Sequence, residues 1–173
     1  MHSKKAAPKT AKQAPKQSAQ KAPNRLPLLA VLVAAAAAVI VVLPRGGQTA
    51  AGDDVVIAPA AVGTEASFYD YDAGGTTVEV LAVQASDGTV RLALNTCQTC
   101  SGSPYAFYVQ DGDAFICQNC GNRFSSTMIG ESRGGCNPVP IPADSVTVAD
   151  DAITVSAAFL EASAPLFTHW MDF

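Results

Sequence analysis

Five cysteines lie within one stretch of 40 residues, and four of them form a matched pair of clips. The clips are Cys97-Gln-Thr-Cys100 and Cys117-Gln-Asn-Cys120, with 16 residues between them, and a fifth cysteine, Cys136, follows inside Gly-Gly-Cys-Asn-Pro. A tight turn across two residues aims both sulfurs of a clip at one point. Two such turns surround one metal ion or one small cluster with four sulfurs. The separation matches that of zinc ribbons, so the chain is expected to fold around this cysteine set.

The flanking sequence divides sharply. Residues 1–25 hold six Lys and one Arg, no acid and no aromatic side chain, with repeated Pro and Gln. Such a stretch cannot bury enough apolar surface to offset the entropy of ordering, and it reads as a disordered basic tail. Residues 26–43 carry no charge. As a helix they would span about 27 Å, close to the roughly 30 Å hydrocarbon core of a bilayer. Basic residues before this run put the tail in the cytoplasm and the C-terminal part outside, as a single-pass membrane protein. A cleaved signal peptide, cut near Gln48-Thr49-Ala50-Ala51, is the competing reading. The long basic region and the 18-residue apolar run favour an uncleaved anchor. Residues 44–61 read as a linker and 62–173 as a cysteine-rich metal-binding domain.

Beyond Arg45 the chain has no Lys and only Arg91, Arg123 and Arg133 against all fifteen acids, a net charge near −12 from fifteen negative and three positive side chains. Such a surface repels nucleic acid and concentrates cations. The fold class expected is a small β-rich (α+β) extracytoplasmic domain with two rubredoxin- or zinc-ribbon-like knuckles, preceded by one transmembrane helix. Alternating patterns predict strands over 66–72, 76–84 and 89–95, with Asp87-Gly88 closing a hairpin. A second hairpin is predicted over 105–110 and 113–116 around Asp111-Gly112. Each hairpin delivers the chain into a clip. A short helix is expected over 125–131, an extended stretch over 139–142, a third hairpin over 146–148 and 153–155, and a last short helix over 157–163. Leu166, Phe167 and Trp170 should pack back on the core. Gly121, directly after Cys120, supplies the positive φ that a knuckle needs.

Three chemistries suit the cysteines. Four thiolates can hold iron, as a single ion or an iron–sulfur cluster, or a silent structural zinc; spacing does not separate these, because both metals accept four sulfurs in a tetrahedron. Disulfides are the third possibility outside the cytoplasm, though an odd count leaves one sulfur over. Cys136 can bind a second metal, replace a clip cysteine and leave that one spare, or stay an inert thiol. Phe107, Phe115, Ile116 and Phe124 are candidates for a dry shell around the centre. His169 with Met171 only loosely suggests copper, and Asp70, Asp72, Asp150 and Asp151 are turn acids that could meet a hard cation. No nucleophile–base set or phosphate loop is present, which favours a non-enzymatic electron-transfer or metal-binding role. A thioredoxin-type clip would open a helix, and neither clip does.

Several motifs together carry a family resemblance. They are Tyr69-Asp70-Tyr71-Asp72, the strand running into Cys97-x-x-Cys100, the stretch Ile116-Cys117-Gln118-Asn119-Cys120-Gly121-Asn122-Arg123-Phe124, Ile129-Gly130, and Gly134-Gly135-Cys136-Asn137-Pro138. Over roughly residues 62–165 the chain resembles the FtrD-like membrane iron–sulfur proteins. The resemblance implies an iron–sulfur centre bound by Cys97, Cys100, Cys117, Cys120 and Cys136. It also implies electron transfer or iron handling beside an inner-membrane ferrous-iron permease and a periplasmic iron-binding protein.

Overall fold

The computed structural model describes residues 47–131 and 135–173. The predicted membrane span, residues 26–43, and the basic tail lie outside the described residues. Among those described, no helix is long and apolar enough to cross a membrane.

Among the described residues the domain is β-rich, with a single short α-helix. Its centre is an antiparallel sheet of four strands, β2 (Ser67–Asp72), β3 (Thr77–Gln84), β4 (Val90–Cys97) and β8 (Pro138–Pro140), in the order β2-β3-β4-β8. The hairpin between β3 and β4 closes at Asp87-Gly88, where Gly88 N–H donates to Ala85 O at 2.8 Å. A second antiparallel sheet holds β5 (Tyr108–Asp111), β6 (Ala114–Cys117) and β7 (Arg123–Ser125). A third holds β1 (Val55–Ile57), β10 (Ile153–Val155) and β9 (Val146–Val148), in that order. Strand β1 comes from the stretch expected to be linker. Three β-branched residues pair along β10, and Val55 and Ile57 are buried.

Strand β3 is buried along both faces, so it reads as a nearly continuous apolar run. Its alternation feeds two cores. Val78, Val80 and Ala82 face one side and pack with Tyr71, Leu94, Val55, Ile57, Val155, Leu160 and Phe167. Leu81 and Val83 face the other side and pack with Ala93, Ala106, Tyr108, Phe115, Ile129, Cys97 and Cys117. One core is therefore purely hydrocarbon and aromatic, and the other incorporates the cysteines.

The helix α1 (Ala157–Ser163) lies where the sequence places it, with Ser156 Oγ accepting from Phe159 N–H at 3.3 Å as its cap. Leu166, Phe167 and Trp170 pack on the first core as expected. The helix expected over 125–131 shrinks to one 3-10 turn, Ser126–Met128. Ser125 is taken into β7, and Gly130 leaves the helical region with φ +74. That glycine is obligatory by contact as well, since a Cβ there would sit 2.4 Å from Leu92 O.

The segment expected to be extended becomes β8, an edge strand with Pro at two of three positions, which suits an edge because Pro brings no ladder donor. Its register sets Pro138 opposite Cys97, which carries Cys136 to the first clip.

Candidate metal centre

Both clips begin at strand ends. Cys97 is the last residue of β4 and Cys117 the last of β6, and both are fully buried. The chain then turns over each clip in the same way. Cys97 N–H donates to Ala106 O and Cys117 N–H to Asn122 O, each at 3.0 Å. The next residues are also tied, Gln98 N–H to Asn137 O at 3.0 Å and Gln118 N–H to Phe107 O at 2.8 Å. Gly121 has φ +74 as the sequence requires, and its N–H returns to Cys117 O at 2.8 Å. The hydroxyl of Ser103 donates to Asn119 Oδ1 at 2.7 Å and straps one clip loop to the other.

These turns bring together the sulfurs of Cys97, Cys100, Cys117 and Cys136, all within 4.8 Å of one another. The four mutually close sulfurs include Cys136 rather than Cys120, although spacing alone treats the two clips as equal, and the Cys120 thiol also hydrogen-bonds with Cys136, Cys117 and Cys100. Cys136 Sγ lies 3.0 Å from Cys97 Sγ, 3.9 Å from Cys100 Sγ and 2.6 Å from Cys120 Sγ. All five cysteines are free thiols, and Cys120 is exposed.

The donor set fits a sulfur-bound metal. Metal–sulfur bonds of about 2.3 Å in a tetrahedron set the sulfurs about 3.8 Å apart, and the tetrad spans that range. A cluster interposes inorganic sulfide and needs the thiolates to spread further than one ion does.

The electrostatics show what a cation would relieve. Burial opposes ionisation of Cys97, but hydrogen bonds from the Cys136 thiol, the Tyr108 hydroxyl and the amides of Cys100 and Thr99 bring it down to about 7. Burial pushes Cys117 up to about 12. Cys136 is also raised, by burial and then by Cys120, Cys97 and Cys117. Burial raises Cys100, whereas the hydrogen bond from Cys136 lowers Cys120. One thiolate forms readily and its neighbours then resist, because like charges crowd the same space. A metal ion removes that resistance by taking the protons' place.

The shell around the sulfurs only partly matches the sequence reading. Phe115 is buried in the cysteine-bearing core and Phe124 packs against it, edge-on to Tyr108. Phe107 instead meets Trp170, and Ile116 points to the opposite face of β6 from Phe115 and Cys117. Residues that spacing did not flag do more. The Tyr108 hydroxyl donates to Cys136 O. Asn95 Oδ1 accepts from Tyr108 N–H at 2.9 Å, while Asn95 Nδ2 donates to Glu79 Oε1 at 2.6 Å. Glu79 is only 4% exposed, so this buried polar node fixes β5 against β4 and sets the height of Tyr108. Its only sequence signal is a pair of polar residues, Glu79 and Asn95, inside otherwise apolar strands.

His169 and Met171 fall outside the cysteine set. Asp70 and Asp72 lie on β2, with Asp72 Oδ1 accepting from Gly75 N–H at 2.6 Å as a turn acid does. Asp150 and Asp151 lie between β9 and β10.

The family described as membrane iron-sulfur containing protein FtrD-like matches residues 62–167. The chain belongs to this FtrD-like family. No curated protein and no solved structure matches it. The matched span contains all five cysteines together with Asn95, Tyr108 and Asn119. The FtrD-like description as iron-sulfur containing agrees with a four-thiol set compatible with metal binding.

Proposed function

We propose that this FtrD-like chain is a membrane-anchored, extracytoplasmic iron protein whose tetrad Cys97, Cys100, Cys117 and Cys136 holds thiolate-bound iron for one-electron transfer. The observation that carries the reading is the convergence of four thiols within 4.8 Å on two strand-end knuckles. When bound, iron supplies a one-electron couple whose potential follows hydrogen bonding to sulfur, charge and solvent exposure. The chain supplies those controls. Amides donate toward the sulfurs, with Cys100 N–H 3.4 Å from Cys97 Sγ. Tyr108, Phe115 and Ile129 exclude water on one side. Cys100 and Cys136 are only half buried, which leaves a short path to the surface for an electron partner.

The topology proposed is N-terminus inside, one helix over 26–43, and the domain outside. The family description as a membrane protein supports the attachment. The domain's negative charge favours approach by cations and basic surfaces. Electron transfer or iron handling beside a ferrous-iron permease and a periplasmic iron-binding protein accommodates these features.

The full chain, purified in detergent without oxygen, should contain iron and show thiolate-to-iron absorption. Acid-labile sulfide then distinguishes a cluster from a single iron. A colourless protein with one zinc and no iron would overturn the redox reading in favour of a structural zinc ribbon, a rival favoured by how well the tetrad's span suits one ion.

A further inference from the structure

The five cysteines are graded by depth. Cys97 and Cys117 are buried, Cys100 and Cys136 are half buried, and Cys120 is exposed. The outer end of the second clip faces water throughout, since residues 118–123 are all exposed. Cys120 is not one of the four mutually close sulfurs, yet it lies 2.6 Å from Cys136 Sγ and hydrogen-bonds with Cys117 and Cys100 as well, and Cys136 in turn lies 3.0 Å from buried Cys97. The Ser103–Asn119 hydrogen bond holds the residue before Cys120 against the first clip, so the exposed thiol is kept at the rim.

We propose that Cys120 is the exchange thiol of the centre: it takes a thiophilic metal ion at the surface and passes it to the tetrad through Cys136. This rests on the reading that the tetrad holds metal. A site closed by four thiolates has no open position, so a donor held beside the ligands gives exchange a route that an external donor lacks. Cys120 is that donor. Soft thiolates suit thiophilic ions at every stage of the transfer. As the ion enters, Cys97, Cys100, Cys117 and Cys120 bind it and release their thiol protons to solvent; in the inward step the Cys120 Sγ–metal bond then breaks and the Cys136 Sγ–metal bond forms. The Cys136 proton moves to the Cys120 sulfur, so charge is conserved and no electron moves. Release runs the same step backwards. Cys120 thus gives the site a way in and out without unfolding the buried clips.

The test uses the full chain, stripped of metal under reducing, oxygen-free conditions, with Co2+ as the probe. Cobalt uptake is followed by its thiolate charge-transfer absorption, and release is followed after adding excess EDTA. Cys120→Ser and Cys120→Ala should bind one Co2+ with the wild-type spectrum. Both should load and release it clearly more slowly than the wild type while holding it no more weakly. Cys136→Ser should change the spectrum itself. Wild-type exchange rates in both Cys120 variants would overturn the proposal, and so would loss of the four-sulfur spectrum in either, which would make Cys120 a permanent ligand. Failure of the wild-type chain to bind Co2+ at all would instead overturn the tetrad reading and this inference with it.

Discussion

The hydroxyl of Tyr108 donates a hydrogen bond to the backbone carbonyl of Cys136, 28 residues further along the chain. The same hydroxyl lies against the Cys97 sulfur, and the pair of contacts fixes the fourth corner of the tetrad relative to the first. Burial, followed by these thiols, raises the Tyr108 pKa, so the phenol stays protonated and remains a donor. Tyr108→Phe keeps the ring and removes only the hydroxyl. It should weaken metal affinity by about 10- to 100-fold and cost about 1–3 kcal/mol of stability, because a buried carbonyl loses its partner. Competition with a coloured chelator measures the first effect and denaturant unfolding the second. Unchanged affinity would reduce Tyr108 to a packing residue.

Two glycines share φ +74 but not their surroundings. A Cβ on Gly121 would meet nothing within 4 Å, whereas one on Gly130 would sit 2.4 Å from Leu92 O. Gly121→Ala should therefore cost only the left-handed backbone strain, about 1–2 kcal/mol. Gly130→Ala should cost clearly more, because the loop carrying Ile129 must lift off β4. Equal midpoints in urea for the two variants would contradict the close approach.

The two cores should respond differently to metal removal. Chelation takes the support from beneath β5, β6 and β7 but leaves the hydrocarbon core of β1, β10 and α1 untouched. Amide exchange should accelerate over residues 108–125 and change little over 55–57 and 153–155. Uniform acceleration would mean that the metal holds the whole domain. Phe115→Ala, which empties the centre of the cysteine-bearing core, should cost about 3–5 kcal/mol and reproduce the same local pattern.

Asp87 gives a pH signature far from the sulfurs. The Thr89 hydroxyl and amide, and then Arg91, hold its carboxyl down to about 2 from an ordinary 3.8. A depressed pKa means that the folded state favours the ionised form. The hairpin therefore has the full contribution above pH 3.8 and loses it as pH falls toward 2. Thr89→Val removes the hydroxyl and should move the side-chain NMR titration of Asp87 upward. An unmoved titration would assign the shift to the Thr89 amide and Arg91.

Much of this architecture was legible from residue order. The Asp-Gly turns and the period-2 runs locate β3 to β6, and those runs end at Cys97 and Cys117, so the knuckle positions follow from the strands. The helix 157–163 also stands out in the sequence. Strands β1 and β7, three residues each, lack the flanking turn that marked the equally short β9 and β10. The choice between Cys120 and Cys136 was not legible either, because spacing describes each clip alone while the tetrad depends on where β8 pairs with β4. Ile116 was misplaced in the shell for a reason of parity: it alternates with Phe115 and Cys117, so the pleat sends it the other way. Tyr108 and Asn95 meet through tertiary contacts that no local pattern announces.

Strand β8 closes one rim of the central sheet with the sequence Pro-Val-Pro. Two of its three residues have no amide hydrogen, so a strand from another molecule would find almost no donors along that rim. An open sheet edge invites zippering into aggregates wherever copies of a chain crowd together. Here the residues that bring Cys136 to the cysteine cluster also make that edge a poor template for a neighbour.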